Sequence, residues 1–144
     1  MTNLEELFNA LNEGEVKYLL IGGLARILYG VPRTTLDFDI AIALSEDNVA
    51  KTLEIMGELG LSCDTEHVED ILAQEGISFS NDLDIDVVTN LPDKEDFEDL
   101  WIKGKNITYE GVKIKVISRE DQIRILRKIG RNRDLEDADI LSGK

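Results

Sequence analysis

Two apolar, strand-like segments each carry a pair of aspartates at alternate positions, and these acids constrain the fold more than any other feature. The segments are residues 36–44, LDFDIAIAL, and residues 83–88, LDIDVV. Successive side chains of a strand point to opposite faces, so Asp37 and Asp39 share one face, and so do Asp84 and Asp86. Four unpaired carboxylates are costly to bury on such strands. Either both strands are sheet edges with a solvated polar face, or the acids meet around a divalent cation.

The composition is that of a globular domain. The chain has 144 residues, of which 42% are hydrophobic, 32% are charged and two are proline. These values favour one domain over residues 1–144 and exclude a disordered chain. The lone Cys63 excludes an internal disulfide, and the lone His67 leaves no Cys/His zinc site. With no apolar run of roughly 18 residues and no signal-peptide pattern, we expect a cytoplasmic protein without a membrane segment.

Charge is unevenly distributed along the chain. The net charge of -14 argues against bulk DNA binding and against anionic membranes. Residues 101–133, however, hold ten Lys or Arg against three Asp or Glu. Such a stretch is usually a solvated face. The alternative is a local phosphate-binding site within an acidic protein.

Hydrophobic periodicity predicts alternating helices and strands. Helices are expected over residues 4–11, 24–29, 45–59, 68–74, 94–100, 118–129 and 133–141, and strands over residues 17–21, 36–44, 77–79, 83–88, 106–109 and 112–116. Ser118 followed by Asp121 resembles a capping box. This order predicts an α+β (α/β) fold, a mixed β-sheet flanked by helices with a C-terminal helical pair.

Gly22-Gly23 lies between a predicted buried strand and a predicted helix. Glycines at such a place let a phosphate approach the backbone, although a Gly-Gly turn alone is usually only a turn. Asp37 and Asp39 follow in the next predicted strand, and two adjacent carboxylates can share a divalent cation. Mg²⁺ prefers oxygen ligands and keeps room for substrate phosphates. Asp84 or Asp86 could complete the site if the two strands are neighbours.

Three motifs in this order resemble the nucleotidyltransferase superfamily that includes DNA polymerase beta. They are GGLARILYGVPRTTLDFD at residues 22–39, IDVVTNLP at residues 85–92 with Phe97 and Trp101 after it, and VISRED at residues 116–121 with GRNRDLED at residues 130–137. More narrowly, they resemble the bacterial abortive-infection and toxin–antitoxin nucleotidyltransferases and their short relatives. The resemblance implies a nucleotidyltransferase-like fold over nearly the whole chain.

The resemblance also implies roles for individual residues. Asp37, Asp39 and Asp86 match the catalytic, metal-binding carboxylates of the family. The residues that match its nucleotide-binding positions are Gly22, Gly23, Arg33 and Thr35. Many members have Gly-Ser at the turn, so the phosphate-binding hydroxyl is missing here.

Relatives tend to carry a lysine in the helix that follows Ser118. The candidates in this chain are Arg124, Arg127 and Lys128, and we predict that Arg127 faces the nucleotide. Asp134 and Asp137, in the last helix, are interpreted as structural acids or as partners of Arg131 and Arg127.

The implied activity is transfer of a nucleoside monophosphate from an NTP to a hydroxyl acceptor. Two Mg²⁺ ions, or Mn²⁺, would bridge the aspartates and the triphosphate, and pyrophosphate would leave toward Gly22-Gly23. The acceptor would be a protein, a tRNA or a small molecule, within a toxin–antitoxin or phage-defence system. The alternatives are a non-catalytic nucleotide-sensing or partner-binding module on the same fold, and a purely structural domain. The oligomeric state is left open.

Overall fold

A mixed sheet of six strands organises the molecule. The computed structural model describes residues 3–35, 37–61, 76–80, 84–88, 91 and 95–143, without the side chains of residues 37 and 76–80. The strands are β1 (Tyr18–Ile21), β2 (Asp37–Ile42), β3 (Gly76–Ser80), β4 (Asp84–Val88), β5 (Lys105–Tyr109) and β6 (Val112–Val116). The helices are α1 (Leu4–Glu13), α2 (Gly22–Leu28), α3 (Glu46–Glu58), α4 (Phe97–Lys103), α5 (Arg119–Ile129) and α6 (Asn132–Ser142).

The strand order is β3-β4-β2-β1-β6-β5. β1 lies antiparallel to β2 and parallel to β6, and β2 lies parallel to β4. The pairs β3–β4 and β5–β6 are antiparallel hairpins at the two edges. The predicted mixed sheet flanked by helices is therefore confirmed, and β2 and β4, the two acid-bearing strands, are neighbours inside the sheet rather than its edges.

Side-chain caps explain where several helices begin. The side chains of Asn3, Ser45, Asp96 and Ser118 accept backbone N–H hydrogen bonds at the starts of α1, α3, α4 and α5. Ser118 Oγ accepts from Asp121 N at 3.1 Å, as the capping pattern predicts. Asp96 also explains a correction, because the helix predicted over residues 94–100 runs from Phe97 to Lys103, beyond that cap.

The core has two parts. Fully buried side chains from α1 and four strands, among them Phe8, Leu19, Ile40, Ile85 and Ile114, form the main cluster. A smaller cluster joins the predicted C-terminal helical pair to the segment after α2, and its members are Val31, Leu126, Ala138 and Leu141. The last two helices are thereby held beside α2, next to the acid-bearing face of the sheet.

Some predicted features have a different outcome. The helix predicted from Leu24 begins at Gly22, so the two glycines form its first turn rather than a separate loop. The helix predicted over residues 68–74, and Cys63 and His67, lie outside the described residues. No helix in the described part of the chain combines the length and apolar character needed to span a membrane.

Candidate active site

Asp39 and Asp86 lie side by side on neighbouring parallel strands. They are register partners in the β2–β4 ladder, where the strands are about 4.8 Å apart. The buried partners Phe38–Ile85 and Ile40–Val87 occupy the core face of the same ladder. Because side chains alternate along each strand, Asp39 and Asp86 both project from the opposite face. Asp86 is partly buried there.

The other two aspartates, Asp37 and Asp84, lie two residues earlier on the same strands. Asp84 is the register partner of Asp37 at the start of the ladder, and the Asp84 side chain is exposed. The side chain of Asp37 is outside the described part of the structure. Strand register therefore puts Asp86, rather than Asp84, level with Asp39.

The Asp39 side chain packs closely against Gly22. Ile21 is the register partner of Asp39 in β1, so the chain enters α2 directly beside this carboxylate. A Cβ at residue 22 would lie 2.3 Å from Asp39 Oδ2, and the Gly22 φ of +73° is unfavourable for side-chain-bearing residues. A Cβ at Gly23 would lie 3.2 Å from Thr35 Oγ1. The positive φ and the close approach of Asp39 both favour glycine at residue 22.

A polar cavity of about 370 Å³ lies on one side of this bend. Its wall includes Gly22, Gly23, Thr35 and Asp39, together with the guanidinium-bearing residues Arg26, Arg33, Arg131 and Arg133. The predicted residues Gly22, Gly23, Arg33, Thr35 and Asp39 are thus brought together at one cavity. The arginines make it suitable for an anion.

An apolar cavity of about 290 Å³ lies on the other side. Eight aliphatic side chains line it, namely Ile21, Val88, Leu91, Leu100, Ile117, Ile125, Leu126 and Ile129. Gly22, Arg26, Asp39 and Arg131 line both cavities, so the two spaces meet at the bend above Asp39. We call them the polar cavity and the apolar cavity below.

Two buried acids of α6 hold the arginines of the polar cavity. Asp137 Oδ2 accepts from Arg26 Nη1 at 2.9 Å, and Asp137 Oδ1 accepts from Arg33 Nε at 2.8 Å. Asp134 Oδ2 accepts from Arg131 Nε at 2.7 Å, with Arg26 Nη2 3.4 Å from its Oδ1. The predicted Arg131–Asp134 pair is confirmed, whereas the partners of Asp137 are Arg26 and Arg33 rather than Arg127.

These contacts shift the pKa values of Asp134 and Arg33. Burial alone would raise the pKa of Asp134, but the hydrogen bond and charge of Arg131 and the charge of Arg26 together lower it. The hydrogen bond to Asp137 raises the pKa of Arg33. Arg26 Nε is buried and has no hydrogen-bond partner among the described residues. The guanidinium groups on the wall of the polar cavity are thus held in place by Asp134 and Asp137.

The structure places Arg127 against the last helix. Its Nη2 lies 3.8 Å from Asp139 Oδ1 and 3.4 Å from Ser142 Oγ. Arg124 pairs with Glu95 and with Asp121, and Lys128 is exposed at the end of α5. These contacts serve the packing of α5, and the cations that the structure brings to the two cavities are Arg26, Arg33, Arg131 and Arg133.

The donor set at the bend fits a hard divalent cation. Asp39 and Asp86 supply carboxylate oxygens from level positions, and the absence of a Cβ at Gly22 lets the Asp39 carboxylate pack against the bend. Among the described side chains, no group of three or more Asp, Glu, His or Cys is close enough to hold a metal ion. The remaining predicted ligand, Asp37, is not one of those side chains.

Sequence reasoning missed two residues that line the cavities. Arg26 follows Gly22 by four positions and so shares its face of α2, which is a signal that could have found it. Gln122 lies in the first turns of α5 and donates from Nε2 to the Gly22 carbonyl at 3.2 Å. Nothing in the local sequence distinguishes Gln122 from a surface position of a charged helix.

Solved structures with a similar fold are nucleotidyltransferases. The lincosamide antibiotic adenylyltransferase LnuA, bound to lincomycin, is 19% identical with a TM-score of 0.65, over 98% of this chain and 97% of its own. TM1012 of Thermotoga maritima, a candidate nucleotidyltransferase, is 22% identical with a TM-score of 0.64, over 97% and 88%. ANT(2")-Ia in complex with adenylyl-2"-tobramycin is 15% identical with a TM-score of 0.64, over 96% and 84%.

At the level of sequence, no protein-family model and no curated protein matches the chain. The likeness therefore rests on the sheet, the helices around it and their connectivity. It extends over almost all of this chain and most of each similar structure. The chain has the nucleotidyltransferase fold.

Proposed function

We propose that this protein is a nucleotidyltransferase that moves a nucleoside monophosphate from an NTP to a hydroxyl group. The carrying observation is the level pair Asp39 and Asp86, which lies at a glycine bend between an arginine-lined and an apolar cavity. The fold supports the same activity, since LnuA and ANT(2")-Ia are adenylyl-transferring proteins.

The polar cavity suits the triphosphate. Its wall includes the backbone of Gly22 and Gly23, and Thr35 contributes a hydroxyl. The arginines of its wall, Arg26, Arg33, Arg131 and Arg133, would offset the phosphate charge. For Arg127, a nucleotide-binding role stays a prediction, and its contacts with α6 do not support it.

Asp37, Asp39 and Asp86 would hold Mg²⁺ or Mn²⁺, which neutralises phosphate charge and polarises the reacting oxygens when bound. The side chains themselves position the acceptor hydroxyl against the α-phosphorus. Its oxygen forms a bond to that phosphorus, the bond from the α-phosphorus to the bridging oxygen breaks, and pyrophosphate leaves along the polar cavity. The hydroxyl proton passes to the carboxylate of Asp86.

The class of acceptor molecule is inferred from the ligands of two similar structures. LnuA is lincomycin-bound and ANT(2")-Ia carries an adenylylated tobramycin, so two proteins of this fold act with small hydroxylated molecules. We infer a small molecule ahead of a protein or a tRNA. A place in a toxin–antitoxin or phage-defence system and a cytoplasmic location stay predictions from the sequence.

The test compares metal-dependent nucleotide binding in matched aspartate variants. Thermal melting is measured with each of the four NTPs in the presence of Mg²⁺. We expect at least one NTP to raise the Tm of the wild type. Asp39→Asn and Asp86→Asn should each abolish the rise. Asp84→Asn is the matched control, because it changes the same residue type one strand period away and should keep the rise.

Pyrophosphate release with hydroxylated acceptors then separates an enzyme from a binding module. Release that depends on Asp86 supports the transferase. A Tm rise without release for any acceptor would favour the non-catalytic nucleotide-sensing module. No Tm rise with any NTP would contradict both, and loss of the rise in Asp84→Asn alone would move the third carboxylate to Asp84.

A further inference from the structure

Gln122 is the uncharged polar residue on the wall of the apolar cavity, which Arg26, Asp39 and Arg131 also line. Its side chain is only 4% exposed, and it lines this cavity among aliphatic neighbours. Its Oε1 atom is buried and has no hydrogen-bond partner among the described residues. A buried, unpaired acceptor is costly, so its presence beside a cavity points to a ligand that completes it.

The orientation of the Gln122 amide is determined by its other contact. The Gly22 carbonyl oxygen can only accept, so the amide atom 3.2 Å from it must be the donor Nε2. Oε1 is therefore the atom left without a partner. Gln122 thus brings to the wall of the apolar cavity one amide acceptor without a partner among the described residues, while one of the two Nε2 N–H groups is used by Gly22.

The two cavities together match a molecule with an anionic end and an apolar end. Arg26 and Arg131 line both cavities, and both spaces open onto Asp39. A nucleotide has this shape, with a polyphosphate for the arginines and a flat base for the aliphatic walls. A neutral acceptor molecule would not need the guanidinium groups that continue from one cavity into the other.

We propose that the apolar cavity binds the base of the nucleoside triphosphate and that Gln122 selects bases carrying an amino group. This rests on the proposed function and adds its substrate class. Adenine N6 and cytosine N4 are donors at the edge where guanine O6 and uracil O4 are acceptors. Oε1 would accept from the amino group of ATP or CTP and would face a second acceptor in GTP or UTP.

The first experiment deletes the amino group from the ligand, so it needs no variant. Dissociation constants of the wild-type protein are measured with Mg²⁺, without an acceptor, for the four NTPs and for purine riboside 5'-triphosphate, which is ATP without its amino group. We expect purine riboside triphosphate to bind about tenfold more weakly than ATP, as for one buried hydrogen bond. GTP and UTP should bind more weakly than ATP and CTP.

The second experiment removes the acceptor from the protein. Gln122→Met keeps the length of the side chain and should bring the ratio of ATP to purine riboside triphosphate affinity close to one. This ratio is informative even if the lost bond to Gly22 weakens all nucleotides together. Asn106→Leu, an amide-to-aliphatic change on exposed β5, is the control and should keep the wild-type ratio.

The outcomes separate this inference from the function on which it rests. Equal binding of all five nucleotides, or a preference that Gln122→Met leaves unchanged, would overturn base selection by Gln122 while the transferase proposal stands. Tight binding of GTP or UTP alone would also overturn it. If no nucleotide binds to the wild type with Mg²⁺, the proposed function itself fails.

Discussion

At the scale of single residues, Gly22 joins backbone conformation to the chemistry of the site. It directly follows β1, is the first residue of α2 and lies beside Asp39, which lines both cavities. Its φ of +73° and the 2.3 Å approach of Asp39 Oδ2 to a hypothetical Cβ are independent reasons for glycine. The Gly-Gly motif in the sequence indicated a phosphate-binding turn, and the structure adds that the glycine also accommodates a carboxylate.

We expect Gly22→Ala to weaken both stability and nucleotide binding. A side chain in the left-handed region costs about 1–2 kcal/mol, and the new Cβ would push Asp39 out of position. The free energy of unfolding in urea and the Tm rise with Mg²⁺ and NTP measure the two effects. Both should fall.

Gly57→Ala is the matched control for that prediction. Gly57 lies inside α3, has no positive φ, and a Cβ there would meet no atom within 4 Å. Alanine should raise the free energy of unfolding by about 0.5–1 kcal/mol because it is the better helix former. If the two alanine variants lost the same stability, the argument from space and backbone conformation would be wrong.

At the scale of elements, an ion-pair network fastens α6 to α2 and to the segment that follows it. Asp137 is fully buried and contacts Arg26 and Arg33, while Asp134 contacts Arg131 and Arg26. The same arginines line the polar cavity. Helix packing and phosphate binding therefore depend on the same guanidinium groups.

Asp137→Asn should destabilise the protein strongly. Removing the charge leaves Arg26 partly buried without its 2.9 Å partner, and breaking a buried pair costs about 3–5 kcal/mol. Urea unfolding measures the loss. Asp139→Asn on the same helix is the control, because that side chain is 60% exposed and its pair with Arg127 should contribute less than about 1 kcal/mol.

The pH dependence of stability should report the Asp134 contacts. Its pKa is lowered from 3.8 in the folded protein, so its contribution to stability is complete well above pH 3.8 and disappears as the pH falls through the folded value. The difference in unfolding free energy between wild type and Asp134→Asn should therefore be largest at neutral pH. It should shrink as the pH falls below about 4.

A pH-independent difference between these two proteins would contradict that expectation. Other acids also titrate in this range, but they are common to both proteins and cancel in the comparison. The measurement is a series of urea titrations from neutral pH to about pH 3.

At the scale of the whole molecule, charge is separated rather than mixed. The chain as a whole has a net charge of -14, whereas the wall of the polar cavity includes four arginine residues. A triphosphate is small enough to enter that cavity, whereas a DNA duplex must approach the acidic exterior. Long-range repulsion and local attraction therefore act on ligands of different size.

We expect no measurable binding of duplex DNA at physiological salt. Nonspecific DNA-binding proteins reach dissociation constants of about 10⁻⁴–10⁻⁶ M under those conditions by neutralising phosphates. Fluorescence anisotropy of a labelled duplex should stay unchanged at micromolar protein, and a labelled nucleotide with Mg²⁺ serves as the positive comparison. Duplex binding in that range would contradict the charge argument.

The elements of the fold could largely be predicted because they depend on local rules. Apolar alternation marked β2 and β4, Ser118 marked the start of α5, and the strands predicted over residues 106–109 and 112–116 are β5 and β6. The start of α2 was misjudged, since glycine is a poor helix former and only its positive φ allows the strand to pass directly into the helix. The nucleotide-binding role of Arg127 was predicted from a family pattern and stays a prediction. The contacts of Arg127 are with Asp139 and Ser142 of α6.

The sequence by itself determined which strands carry acids, which face those acids share and where glycine interrupts the chain, because these follow from alternation and backbone sterics within a few residues. Only the tertiary structure decided that Asp86 lies level with Asp39 and that Arg26 and Gln122 reach the same bend. Those facts depend on strand order and on α5 and α6 packing beside α2. They join residues about 50–110 positions apart, beyond the reach of any local pattern.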